Sequence, residues 1–335
     1  MTRSASTPGA KPSASQALLA PSRWRAWEVV AWLALVASPF VATQHAALIN
    51  EVAILALFAL SLDLILGYAG IVSLGHAAFF GLGAYVAALF AKHVMPDPLV
   101  GLLLATVSAG ALGALTSPMI VRGTDLTRLM VTMGVALVLM ELANKFDSLT
   151  GGADGLQGVV MGPLLGRFEF DLGAQVASIY SLTVLLLAFV VLRRVVHSPL
   201  GVSMQALRDN RLRLSAIGLS VNGRLAAVYT AGAALAGAAG ALLAQTTGFA
   251  SLDVLDFHRS ADVMLALVIG GTGWLWGGLV GAVVFKVMHD LLSAITPQYW
   301  TFWLGAFLVL LMLVGRERLF RPRRWFGARR QGGGQ

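Results

Sequence analysis

The stretch GYAGIVSLGHAAFFGLGAY, residues 67–85, lies between two long apolar runs. It carries five glycines (Gly67, Gly70, Gly75, Gly81 and Gly83), with Ser73 and His76 among them. Glycine costs a helix interior about 1 kcal/mol relative to alanine, so Gly67 to Gly75 reads as a break between two elements. Beyond the break, Ala77, Gly81, Ala84 and Ala88 recur at i, i+4, i+7 and i+11, one small-residue face that lets helices approach closely. The flanking runs have near-spanning length. The fold this implies is all-α: a polytopic membrane helix bundle with one or two broken or re-entrant helices.

Composition agrees. The 335 residues are 57% hydrophobic and 12% charged, whereas soluble domains carry about 25% charged residues. With no cysteine, disulfides, thiolate catalysis and cysteine-ligated metals are excluded. Ten apolar segments follow along the chain: 27–44, 50–66, 75–91, 99–121, 126–145, 178–196, 224–246, 258–271, 277–295 and 299–315. Residues 75–91 and 258–271 are the short or glycine-broken ones. Residues 1–26 and 316–335 read as a disordered tail and a basic tail, and 27–315 as the transmembrane domain. The first apolar run follows Arg23 and Arg25, as in a signal peptide; a second apolar run comes almost at once, which favours an uncleaved span.

The formal charge of +8 is distributed as topology, not as a nucleic-acid surface. A ten-span arrangement puts 19 of the 24 basic residues on one side. These are four before Glu28, Arg122 and Arg128, six between Arg193 and Arg224, and seven after Gly315. By the positive-inside rule both termini are cytoplasmic.

Two connections exceed what a bundle needs. The external one, about 146–177, contains TGGADGLQGV. The cytoplasmic one, about 197–223, reads HSPLGVSMQALRDNRLRLSAIGLSVNGR over 197–224. There Ser198 and Pro199 suit a helix start. Leu200, Met204, Leu207, Leu214 and Ile217 recur near helical spacing, with a break near Asn210, and Gly218 ends the run. Such an amphipathic segment either lies on headgroups or docks a cytosolic partner.

Ionisable groups inside spans mark candidate paths. Ser73 and His76 open the third span. The ring either faces an interior path or satisfies a carbonyl freed by the glycine turn. Asp262 and Lys286 are expected to pair across neighbouring helices. IGGTGWLWGGLVGA, residues 269–282, is a second glycine break; with 67–75 it suggests two similar halves. No phosphate-binding loop of the form GxxxxGK[ST] and no HExxH occurs. Any ATP hydrolysis therefore belongs to another chain, and a membrane enzyme has no clustered nucleophile, metal site or acid pair to work with. The remaining alternative is a secondary transporter or channel for small polar solutes.

GYAGIVSLGHAAFFGLGAYVAALF, TGGADGL, the loop SPLG…ALRDNRLRLSAIGLSV and IGGTGWLWGGLVGA together resemble the branched-chain amino acid ABC transporter permeases. The first motif is similar to the M-type (LivM) subunit more than to its H-type sister. The resemblance implies a bacterial inner-membrane permease with no cofactor of its own. It implies a homologous second permease, two cytosolic ATPases that bind ATP and Mg2+, and a periplasmic substrate-binding protein. Leu207, Arg208, Asp209, Asn210, Ala216 and Gly218 would meet the ATPase. Gly151, Gly152, Asp154 and Gly155 would lie near the binding protein, and Ser73, His76, Phe80 and Gly83 along the translocation path. One departure is Arg211, where the family more usually has an acidic residue.

Overall fold

In hydrocarbon a backbone must satisfy its own polar groups, and the helix does so within one segment. The computed structural model describes residues 25–170, 173–216, 218–295 and 299–314. The two tails expected at the termini therefore fall outside the described residues, apart from the start of the first helix. Thirteen α-helices account for the described residues, with two isolated β-bridges and no strand.

Each of the ten expected apolar segments holds one long helix: α1 (Ala26–Val41), α2 (Ala46–Asp63), α3 (Ala77–His93), α4 (Pro98–Arg122) and α5 (Asp125–Lys145) in the first half. After the short α6 (Asp147–Thr150) come α7 (Gln175–Val196), then α8 (Pro199–Asp209) and α9 (Arg211–Ala216) in the connection, then α10 (Val221–Thr247), α11 (Phe257–Gly270), α12 (Leu275–Ile295) and α13 (Trp300–Val314). Six are long and apolar enough to cross a membrane: α2 with its extension, α4, α5, α7, α10 and α12. The other four have 16, 17, 14 and 15 residues. At 1.5 Å per residue, α3 and α11 rise only about 25 and 21 Å, short of a hydrocarbon core of roughly 30 Å.

Burial sorts the helices. In α2 72% of the apolar window is buried and in α10 67%, against 22% in α5. So α2 and α10 form the centre with α3, while α5 stays peripheral. Small residues make that centre possible. A Cβ on Gly83 would strike the Gly237 carbonyl of α10, and one on Gly240 would strike the Phe80 carbonyl of α3. Gly237 in turn faces Ala105 and Ala109 of α4. α11 and α12 form a hairpin with the same logic, the Cβ positions of Gly270 and Gly281 being occupied by Gly277 and Ala266.

Two buried arginines are neutralised locally. Arg193 of α7 meets Glu28 of α1 at 2.8 Å, with both side chains buried. Arg128 does more than mark a side of the membrane: it is buried and caps α4, its Nε donating to the Ile120 carbonyl at 2.8 Å, while it pairs with Asp125 at 3.0 Å. A cation at a helix C-terminus is favoured by the helix dipole.

Candidate functional site

α2 does not stop at Asp63. It loosens into a π-turn, Leu64–Tyr68, of the kind that recurs at functional sites. The chain then runs non-helically from Ala69 to His76 before α3 begins. Ala69, Ile71, Ser73, Gly75 and His76 are buried along this run. Irregular backbone at membrane depth persists where protein encloses it. Gly70 has φ +68°, and its missing Cβ leaves room for the Arg208 side chain.

The second glycine break lies against the first. Gly273, between α11 and α12, donates its N–H to Asp63 Oδ1 at 2.7 Å. Arg208 of α8 closes the arrangement: its guanidinium donates to the Gly67 carbonyl at 2.5 Å and lies beside Gly273. Two helix interruptions and the 197–223 connection thus share one junction. The sequence suggested paired breaks but not that they touch.

The connection itself is built as its residues dictate. Ser198 Oγ accepts from the Leu200 N–H, and Pro199 occupies the first turn of α8. The helix ends at Asn210, α9 follows, and Gly218 turns the chain with φ +83°. One site expectation changes here. Leu207 is 1% exposed and anchors α8 to the bundle, so its side chain is not a docking surface. Arg208 reaches back to the Gly67 carbonyl while remaining exposed. Asp209, Asn210, Ala216 and Gly218 are exposed.

At the opposite end, a cavity of about 480 Å³ opens among α2, α3, α10, α11 and α12. Ile54, Leu55, Phe58, Phe80, Leu243 and Phe285 give it apolar walls; Asn50, Glu51, Arg259, Asp262, Lys286 and His289 give it charge and polarity. Phe80, one of the four expected path residues, lines it. The other three do not. Gly83 is a helix contact. His76 is fully buried behind Phe58, whose ring it stacks on at 5.3 Å. Ser73 is buried in the non-helical run.

His76 partners neither an interior path nor a carbonyl. Its Nε2 lies 2.8 Å from Ser61 Oγ, and that hydroxyl donates its only hydrogen to the Phe58 carbonyl at 2.6 Å. The ring nitrogen is therefore the donor, which leaves Nδ1 as a buried acceptor without a hydrogen-bond partner. His76→Phe removes one hydrogen bond and one unpartnered acceptor, effects of about 1 kcal/mol each and opposite sign. The expected result is a thermal midpoint in detergent close to the wild type; a collapse of the fold would show that the ring does more than pack.

The expected Asp262–Lys286 pair does not form. Lys286 pairs instead with Glu51 of α2 at 2.6 Å and Asp290, one turn on, at 3.3 Å. Helical spacing placed Asp262 and Lys286 on adjacent helices but gave no rotation of α11 against α12.

The segment expected to be external, about 146–177, contains a set of turns. Gly151, Gly152 and Gly155 all have positive φ, and Leu156 bridges to Ala250. The glycines shape the turn, with Asp154 alone of the four clearly exposed. Lys92 ties α3 to the segment through the Gln157 carbonyl at 3.1 Å. Among the described residues no group of three His, Asp or Glu side chains could hold a metal ion.

Comparison with known proteins decides the family. The family described as the permease component of the branched-chain amino acid transport system matches residues 45–314. The chain belongs to this family. The permease is 27% identical over 275 residues to the high-affinity branched-chain amino acid transport system permease protein LivM of Escherichia coli K12, covering 76% of this chain and 64% of LivM. It is 29% identical over 281 residues to LivM of Salmonella typhimurium, with the same coverage. LivH of Salmonella typhimurium is 24% identical over 275 residues, 77% of this chain and 88% of LivH. The permease thus spans less than two thirds of the length of its LivM relatives. No solved structure gives a significant match.

Proposed function

We propose that the chain is the membrane permease subunit of an ATP-binding cassette importer for branched-chain or other hydrophobic amino acids, in the bacterial inner membrane. The observation that carries this reading is the α8–α9 connection, which offers exposed polar residues at one end of the bundle while Arg208 grips the first helix break through the Gly67 carbonyl and lies beside the second. A loop that only lay on headgroups would have no need of that grip. The names of the LivM and LivH relatives supply the substrate class.

In this reading the ten helices all span or enter the membrane, with both termini and the 197–223 connection cytoplasmic. Residues 27–315 form the permease domain. Two cytosolic ATPases, which bind ATP and Mg2+, meet Arg208, Asp209, Asn210, Ala216 and Gly218. A homologous second permease completes the pathway. A periplasmic binding protein approaches the end that holds Asp154 and the cavity.

The test is reconstitution. Proteoliposomes holding the chain with a LivH-type partner, the ATPases and the binding protein are expected to accumulate leucine only when ATP and binding protein are both supplied. Gradient-driven uptake by the chain alone would overturn the importer and favour a secondary transporter or channel.

A further inference from the structure

We propose that the cavity among α2, α3, α10, α11 and α12 is a binding site for the zwitterion of an apolar α-amino acid. Asp262 receives the ammonium group and Lys286 the carboxylate. The inference rests on the importer reading and adds to it a site within this chain.

The volume, about 480 Å³, falls in the range of roughly 300–1,000 Å³ typical of small-molecule sites. The lining is divided as the ligand is. Ile54, Leu55, Phe58, Phe80, Leu243 and Phe285 form an apolar surface for a side chain. Phe58 and Phe80 meet at 4.5 Å between centroids, and His76 stacks behind Phe58, so that part of the wall is backed by core. Charges of both signs line the same cavity.

Those charges are unequally engaged. Arg259 is committed to Asp253 through two bonds, of 2.6 and 3.0 Å. Asn50 is fixed by Thr246 at 3.0 Å and Ser181 at 2.6 Å, which makes it part of a set wall. Asp262 is partly buried, and among the described residues it forms no ion pair within 4 Å, the basic side chains of Arg259 and His289 acting on it only at longer range. Burying a carboxylate without a partner is costly, and an ammonium group arriving in the cavity would remove that cost. Lys286 is 20% exposed and its partner Glu51 is 51% exposed. A ligand carboxylate can replace Glu51, which is free to turn to water, without leaving the lysine unpaired. A neutral sugar or a simple cation would use only part of this lining.

The experiment uses the reconstituted complex with its binding protein and tritiated leucine. Asp262→Asn is expected to cut ATP-driven uptake at least about tenfold, the scale of one lost charged hydrogen bond. ATPase activity stimulated by the leucine-loaded binding protein is expected to persist, and Asp262→Glu to recover most of the uptake. Lys286→Met should give the same split between uptake and hydrolysis. Wild-type uptake in Asp262→Asn would overturn the site. So would an Asp262→Glu variant as defective as the asparagine, or a loss of hydrolysis together with uptake, since either would make Asp262 a packing residue. If the unmutated complex takes up no leucine, the importer reading itself fails, and the site with it.

Discussion

Gly240→Leu is expected to abolish the folded chain. Gly240 sits in the most buried stretch of α10, and a Cβ there would occupy the position of the Phe80 carbonyl and press on the Ala84 nitrogen. These are backbone atoms of α3, so no rotamer change relieves the overlap; the helices must part. Parting them opens the neighbouring contact as well, where Gly83 lies against the Gly237 carbonyl. Overpacking in ordinary cores costs about 1–3 kcal/mol when side chains can adjust. Here the strain falls on a helix pair at the centre, and native stability is only about 5–15 kcal/mol. Fluorescence-detected size-exclusion in mild detergent should show the monodisperse peak lost to aggregate. Gly134→Leu is the control: on α5 a Cβ at Gly134 meets nothing within 4 Å, and its peak should match the wild type. Equal peaks for the two variants would mean that α3 and α10 tolerate separation.

How far such features were legible varies with what the physics encodes locally. The ten segments could be read because each is a long apolar run, and every run became a helix, six of them long and apolar enough to cross a membrane. The glycine break at 67–75 was legible because glycine is costly inside a helix. Which glycines serve packing and which lie near a path was not: Gly83 and Phe80 stand three residues apart, and only the rotation of α3 sends one to α10 and the other to the cavity. In the same way, the rotation of α12 against α11 decides that Lys286 reaches Glu51, 235 positions earlier in the chain, in preference to Asp262 on the adjoining helix. The 197–223 connection was legible as an amphipathic helix with a Ser198–Pro199 start. The reach of Arg208 back to Gly67 was not, since its partner is a carbonyl and carbonyls leave no mark in a sequence. The junction had one weak signal: two glycine breaks, each costly on its own terms, in the two halves of one chain.

That junction makes Arg208→Met the sharpest test of coupling. The methionine keeps an apolar stem to lie over Gly70 but has no donor for the Gly67 carbonyl. The bond it removes is charge-assisted, the class worth about 1.5–3 kcal/mol, which corresponds to roughly 10- to 100-fold in an equilibrium. Because the junction joins α8 to the π-turn of α2 and to Gly273, the loss should fall on communication between the connection and the helix breaks and spare the packed centre of α3 and α10. The expected result is a chain that inserts, purifies as one peak and supports ATP hydrolysis by its partner subunits, with leucine uptake reduced at least about tenfold. Arg208→Lys should be intermediate, since a lysine carries the charge but not the planar guanidinium that donates to the Gly67 carbonyl beside Gly273. Uptake per ATP hydrolysed is the quantity to measure. If Arg208→Met kept the wild-type ratio, the guanidinium would be no more than a cap on a frayed helix end, and the path from the ATPase to the helix breaks would have to run through the buried anchor Leu207 instead.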